Sequence, residues 1–253
     1  MKLFVALPLL CASCWAPTSP PGLSHFDPTV WGNACVAQLY APDQLAIEAG
    51  LLATTIALIP YDRQISDDLN EDTPITEGST KNGDGVAVGL TVIAAGLGAG
   101  KWIDGDAGRS AEVLVQSFAL TEGFTELLKH TTRRNRPEGG GHDSFPSGHT
   151  SYSFAMATYL QRTISDDDPG GVGWLGYFAY APAAYVGIDR LEAKRHWPTD
   201  VAFGAFLGVL MTNITYDAHY GTARSAGLFG VRGLALEPGT PEEHADLALV
   251  LHF

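Results

Sequence analysis

Between Asp43 and Thr215 the chain is a succession of apolar runs with a period near 3.6, each closed by proline, glycine or a polar cluster. That pattern leaves little besides a bundle of helices. "DQLAIEAGLLATTIALIP" opens on Asp43 as a cap and stops at Pro60. "YDRQISDDLNED" suits a short amphipathic helix with Ile65 and Leu69 inward, and "TPITEGSTKNGDG" reads as a loop. "VAVGLTVIAAGLGAGKW" is apolar and rich in small residues, which lets a helix approach its neighbours closely. In "GRSAEVLVQSFALTEGFTELLKHTT", Leu114, Phe118, Thr121 and Leu128 recur at helical spacing beside a polar stripe of Glu122, Glu126 and Lys129. After the glycine loop "RPEGGGHD", further helices are predicted over about Ser147 to Thr163, Val172 to Gly187 and Pro198 to Thr215. The expectation is an all-α bundle of about six main helices across residues 44–217.

The two ends differ from this core. "MKLFVALPLLCASCWA" carries one Lys, an apolar run and small residues, and reads as an export signal over residues 1–16. Cleavage after Ala16 and lipidation at Cys14 are both compatible with it, and either points to the periplasm or envelope of a bacterium. Residues 17–43, with many Pro, Ser and Gly, read as an extended leader. Near the other end, "LFGVRGLALEP" and "HADLALVLHF" alternate apolar and polar residues around "GTPEE". That period of two predicts a β-hairpin appendage over residues 228–253, with Leu247, Leu249 and Leu251 on one face.

The apolar runs extend for about 15 to 18 residues, against roughly 20 for a bilayer crossing. Glu48 lies inside the first of them, and the mean hydropathy is +0.05. The expectation is therefore a globular bundle, soluble without detergent, with a membrane-embedded bundle as the competing reading. A net charge of −13 argues against a nucleic-acid partner. Of the fifteen Lys and Arg, seven fall in two short stretches: Lys129, Arg133, Arg134 and Arg136, then Arg190, Lys194 and Arg195. An acidic chain that gathers its cations in this way uses them locally.

Three stretches supply a coherent chemistry. "KHTTRRNRP" brings Lys129 and Arg136, "PSGH" brings Ser147, Gly148 and His149 at a predicted helix start, and "DRLEAKRHWPTD" brings Arg190, His196 and Asp200. A helix start offers free N–H groups to an anion, and a glycine there lets it come close. Arg gives a planar fork and Lys a point charge to phosphoryl oxygens. One histidine can attack phosphorus while another protonates the leaving oxygen. Pro198 suits the first helical position, which puts Asp200 in the first turn, able to reach back toward His196. Converging cations oppose a divalent metal held by His149, His196 and Asp200, so no metal site is expected.

The order Lys-x6-Arg-Pro, Pro-Ser-Gly-His, Arg-x5-His-x3-Asp resembles the type 2 phosphatidic acid phosphatase superfamily. That superfamily includes bacterial nonspecific acid phosphatases, lipid phosphate phosphatases and vanadium haloperoxidases. The resemblance covers residues 129–200 and implies an all-α fold and a metal-independent phosphatase without a cofactor. It implies that His196 is the nucleophile, forming a phosphohistidine, that Asp200 orients it, and that His149 is the general acid. It assigns phosphate oxygens to Lys129, Arg136, Ser147, Gly148 and Arg190. Asp189 departs from the pattern, since the family has Ser before the arginine. It is expected to point away from phosphate, toward a nearby cation. His130, Arg133, Arg134, His142 and Arg195 match nothing in the motifs and read as rim residues. The implied substrates are phosphomonoesters or diphosphates, with lipids favoured and association with a membrane through Cys14 or the hairpin. A nonspecific acid phosphatase, a vanadate-dependent haloperoxidase and a catalytically silent phosphate-binding envelope protein are the alternatives.

Overall fold

The computed structural model describes residues 28–39, 41–71, 79–101, 107–167 and 171–221. The α-helices are α1 (Pro28–Ala37), α2 (Pro42–Leu58), α3 (Asp62–Glu71), α4 (Ser79–Gly100), α5 (Ala107–Thr132), α6 (Gly148–Asp167), α7 (Tyr180–Glu192) and α8 (Pro198–Tyr220). Short 3₁₀ turns at Ile59–Tyr61 and Gly173–Ala179 lead into α3 and α7. Helix α8 lies at the centre, packed against α6, α2, α5 and α1, while α4 packs on α7, α6 and α5.

Several expectations are corrected. The described residues hold no strand, and the β-hairpin appendage expected beside the all-α bundle is not supported; its residues, 228–253, lie outside them. Within the expected extended leader, Pro28–Ala37 is helical. The expected export signal and Cys14 also lie outside the described residues. The described helices are more numerous than predicted, and α4, with 22 residues, and α8, with 23, run longer than expected, while α5 matches its predicted extent. Helix α4 gains its length by starting at Ser79, inside the stretch read as a loop from its Gly and Asn. Local turn preference there is overridden by packing against α7.

The largest correction concerns which face is buried. On α5 the inward residues are small or hydroxylic: Ser110, Val113, Ser117, Thr121 and Thr125 are at most 1% exposed. Val115, Phe118, Phe124 and Leu127 on the same helix are exposed. Large apolar side chains therefore point out and small ones in, the reverse of a helix folded by water. Small inward residues let backbones approach where hydrocarbon, not water, surrounds the bundle. The α6–α8 contact has the same character, since a Cβ on Gly204 would lie 2.8 Å from the Ser147 carbonyl oxygen. One on Gly208 would lie 2.8 Å from the Ala155 nitrogen and collide with the Ser151 carbonyl.

Three segments are long and apolar enough to cross a membrane: Gln44–Leu69, Asn82–Gly100 and Pro198–Tyr220. The outward faces of the first two carry Leu52, Ile56, Ile59, Val88, Val92 and Ile93, all exposed. A patch of this extent on a chain in water would be an interaction or aggregation surface. This is the surface of a membrane-associated protein, and it replaces the expectation of a bundle soluble without detergent.

Candidate active site

The direction of the helices brings the three motifs to one end of the bundle. Helix α5 ends near Lys129, α6 begins at Gly148, α7 ends near Arg190 and α8 begins just before Asp200. Two loops complete that end and pack on each other. The loop after α5 is tied to the loop before α8 by Glu138 N–H to the Lys194 carbonyl at 3.3 Å and by Trp197 Nε1–H to the Asn135 carbonyl at 2.8 Å. Arg133 and Lys194 take positive φ values of 46° and 53° at the two turns.

His196 is buried, 5% exposed. Its Nδ1 lies 2.7 Å from the Ser144 carbonyl oxygen. A carbonyl can only accept, so Nδ1 carries the proton and Nε2 keeps its lone pair. Burial, then the charges of Arg136, Lys129 and His149, push the imidazole down to about 3, against the pull of the Ser144 carbonyl. His196 is thus neutral, with one fixed tautomer.

The route from Asp200 to His196 differs from the sequence expectation. Asp200 Oδ2 lies 3.9 Å from His196 Nδ1. Its oxygens instead accept from Ser144 Oγ–H at 2.5 Å, from Trp197 N–H at 2.8 Å and from Arg134 Nη1–H at 2.6 Å. As the third residue of α8, Asp200 caps the helix start and holds Ser144, whose carbonyl then holds His196. The carboxylate acts on the imidazole at one remove. Arg134, read as a rim residue, is in this network: it also donates to Thr199 Oγ1 at 2.6 Å and to Asp62 Oδ2 at 2.5 Å. Asp62 in turn accepts from Thr199 N–H at 2.9 Å, which ties α3 to the start of α8.

The charges of Lys129 and Arg136 act on His196, and that of Arg190 acts on His149. Lys129 Nζ sits over the start of α6, where a Cβ on Gly148 would come within 3.1 Å of it. Arg136 donates from Nε and Nη2 to the two oxygens of Asp143, both at 2.9 Å. Arg190, 4% exposed, pairs with its neighbour Asp189, so that carboxylate takes a cation as expected, and the cation is Arg190 itself. His149 Nε2 lies 3.2 Å from Asp84 Oδ1, and burial followed by the charge of Arg190 holds its imidazole below the ordinary 6.5. Ser147 is fully buried, its hydroxyl 2.9 Å from Thr150 Oγ1 and its N–H on the Asp200 carbonyl. The hydroxyl and N–H of Ser147 are thereby engaged at the α6 start. His142 pairs with Asn135 at the exposed rim, and Arg195 with Glu138, as rim residues do.

The sequence reading missed Asp62, Asp84, Arg134, Ser144 and Thr199. Arg134 stands in a basic run whose inward member no local pattern marks. Asp62 and Asp84 precede the motifs by many residues and meet the site only through tertiary packing.

A model of the PAP2 superfamily matches residues 112–224, from α5 through α8. Over 99 residues it is 36% identical to a lipid A 1-phosphatase of Porphyromonas gingivalis, covering 39% of this chain and 21% of that protein. Over 87 residues it is 39% identical to lipid phosphate phosphatase 1 of Arabidopsis thaliana, covering 32% of this chain and 27% of that protein. The chain thus spans about a quarter of the length of these relatives. Its fold is similar to the transmembrane PAP2 type phosphatidylglycerolphosphate phosphatase of Bacillus subtilis, with a TM-score of 0.51 at 20% identity, over 68% of this chain and 94% of that one.

Proposed function

We propose that the chain is a lipid phosphate phosphatase that works through a phosphohistidine on His196. The observation that carries this reading is a neutral histidine, buried among Lys129, Arg136 and His149, whose Nδ1 proton is committed to the Ser144 carbonyl. A lone pair so presented beside fixed cations suits attack on phosphorus. Nε2 of His196 forms a bond to phosphorus as the bond to the leaving oxygen breaks. His149 gives its Nε2 proton to that oxygen. A water then gives a proton back to His149 and its oxygen displaces Nε2, which frees inorganic phosphate. Lys129, Arg136 and Arg190 hold the phosphoryl oxygens through both steps, with the α6 start at Gly148 beside them. No step needs a metal.

A lipid substrate is favoured by where the site lies. Asp62, Asp84 and Asp200 fall in or at the ends of the three membrane-length segments, so the phosphate site sits at one end of the bundle. In a bilayer that end meets the headgroups. The names of the relatives, lipid A 1-phosphatase and lipid phosphate phosphatase, agree with this class. Export to the periplasm or envelope rests on residues 1–16 alone. The test is release of inorganic phosphate by the detergent-solubilised chain from a panel of lipid and soluble phosphomonoesters and diphosphates. Turnover of soluble esters alone would transfer the reading to a nonspecific acid phosphatase.

A further inference from the structure

Every cation of the site already has a carboxylate. Glu126 takes Lys129 at 2.6 Å, Asp143 closes the fork of Arg136, and Asp84 lies 3.0 Å from Arg190 Nη1. Asp84 differs from the other two. It comes from α4, outside the matched domain of residues 112–224. It also uses one oxygen for two partners: Oδ1 is 3.0 Å from Arg190 Nη1 and 3.2 Å from His149 Nε2. The first partner is a phosphoryl-oxygen ligand and the second is the acid that faces the leaving oxygen. A single carboxylate oxygen therefore sits where substrate oxygens must sit.

The close approach of α4 is built into the backbone. A Cβ on Gly83 would lie 2.9 Å from Arg190 Nη2 and 2.6 Å from the Asp189 carboxyl carbon. Without a side chain at Gly83, this turn of α4 presses on the Asp189–Arg190 pair without displacing it. The Asp84 side chain is 54% exposed, so it can turn into solvent without leaving a buried charge behind.

We propose that Asp84 is a built-in competitor for the phosphate site, bridging His149 and Arg190 in the empty enzyme and displaced by the phosphoryl group of the substrate. This rests on the phosphatase reading above. A phosphomonoester dianion and a carboxylate cannot share Arg190 and His149 without mutual repulsion, so one excludes the other. Asp84 thereby favours ligands that carry more charge than itself, monoester dianions over diester monoanions.

The experiment uses the full chain in detergent, as wild type, Asp84→Asn and Asp84→Ala, with orthovanadate and inorganic phosphate as probes. Competitive inhibition constants are measured against an aryl phosphate, together with direct binding of each probe. Both variants are expected to bind the two probes about five-fold more tightly, as loss of a half-exposed ion pair implies. Unchanged or weaker binding in both variants overturns the competition and leaves the phosphatase reading standing, with Asp84 then a positioning residue for His149. Absence of binding to wild type and variants alike overturns the phosphatase reading and this inference with it.

Discussion

His149 and His196 have the same side chain, and the proposed mechanism gives them opposite duties. His196 must be neutral to attack, and it is neutral above about 3. His149 must be protonated to donate, and its value lies below 6.5. With decreasing acidity, kcat/KM for an alkyl phosphate should rise as His196 deprotonates and fall as His149 does. The maximum therefore lies on the acid side of neutrality, and a pH profile with an alkaline optimum would remove His149 as the acid. His196→Ala should abolish turnover of every ester. His149→Ala should spare an activated aryl phosphate, whose leaving oxygen needs little protonation, and a Brønsted series of leaving groups checks this. Ser144→Ala removes a charge-assisted bond to buried Asp200 while keeping the carbonyl that orients His196. It should cost about 1.5–3 kcal/mol of stability with a smaller effect on kcat than Arg134→Ala, which strips both Asp62 and Asp200 of their cation.

At the level of helices, α8 is held in two ways along its length. Near the site its glycines let the α6 backbone touch it. Gly208→Val places carbon against Ser151 and Ala155 and should cost about 1–3 kcal/mol or more, read as a lowered unfolding temperature in detergent. Three turns further on, the contact is ionic. Arg162 of α6, 4% exposed, donates to Asp217 at 2.6 Å, and Gln38 after α1 donates to the other Asp217 oxygen at 2.8 Å. Arg162 also lies over the Tyr216 ring at 4.5 Å. Asp217→Ala strands a buried guanidinium and should be worse than Gly208→Val, at about 3–5 kcal/mol. Equal stability of the Asp217 variant and wild type would mean that Arg162 finds another partner.

The whole molecule combines an apolar outer surface with a charged site at one end. Expressed in cells, the chain should sediment with membranes, resist extraction by alkaline carbonate and be released by detergent. Recovery in the soluble fraction would restore the globular bundle read from the sequence. Catalysis should persist in EDTA and be inhibited by orthovanadate, because in the proposed mechanism Lys129, Arg136 and Arg190 supply the charge that a metal would otherwise supply. Loss of activity in EDTA that Mg²⁺ restores would contradict the proposed chemistry.

The sequence by itself determined the helical class and marked the residues to which the proposed chemistry is assigned. Helical period is local, and so is the spacing of Lys129, Arg136, His149, Arg190, His196 and Asp200, each near a helix end that the chain specifies over a few residues. It did not determine which way α5 faces. Of the stripe Leu114, Phe118, Thr121 and Leu128, Leu114 packs on the core and Thr121 is buried while Phe118 is exposed, and only packing showed Ser117 and Thr125 to share the inward side. Segment length was misjudged for the same reason, since the Gly and Asn that open α4 favour a turn until α7 lies against them. In the site, proximity in sequence suggested that Asp200 meets His196. The fold instead inserted Ser144 between them, and delivered Asp62 and Asp84 from helices that no motif includes. Hydrogen-bond partners across such separations depend on where whole helices come to rest, and that is a property of the tertiary structure alone.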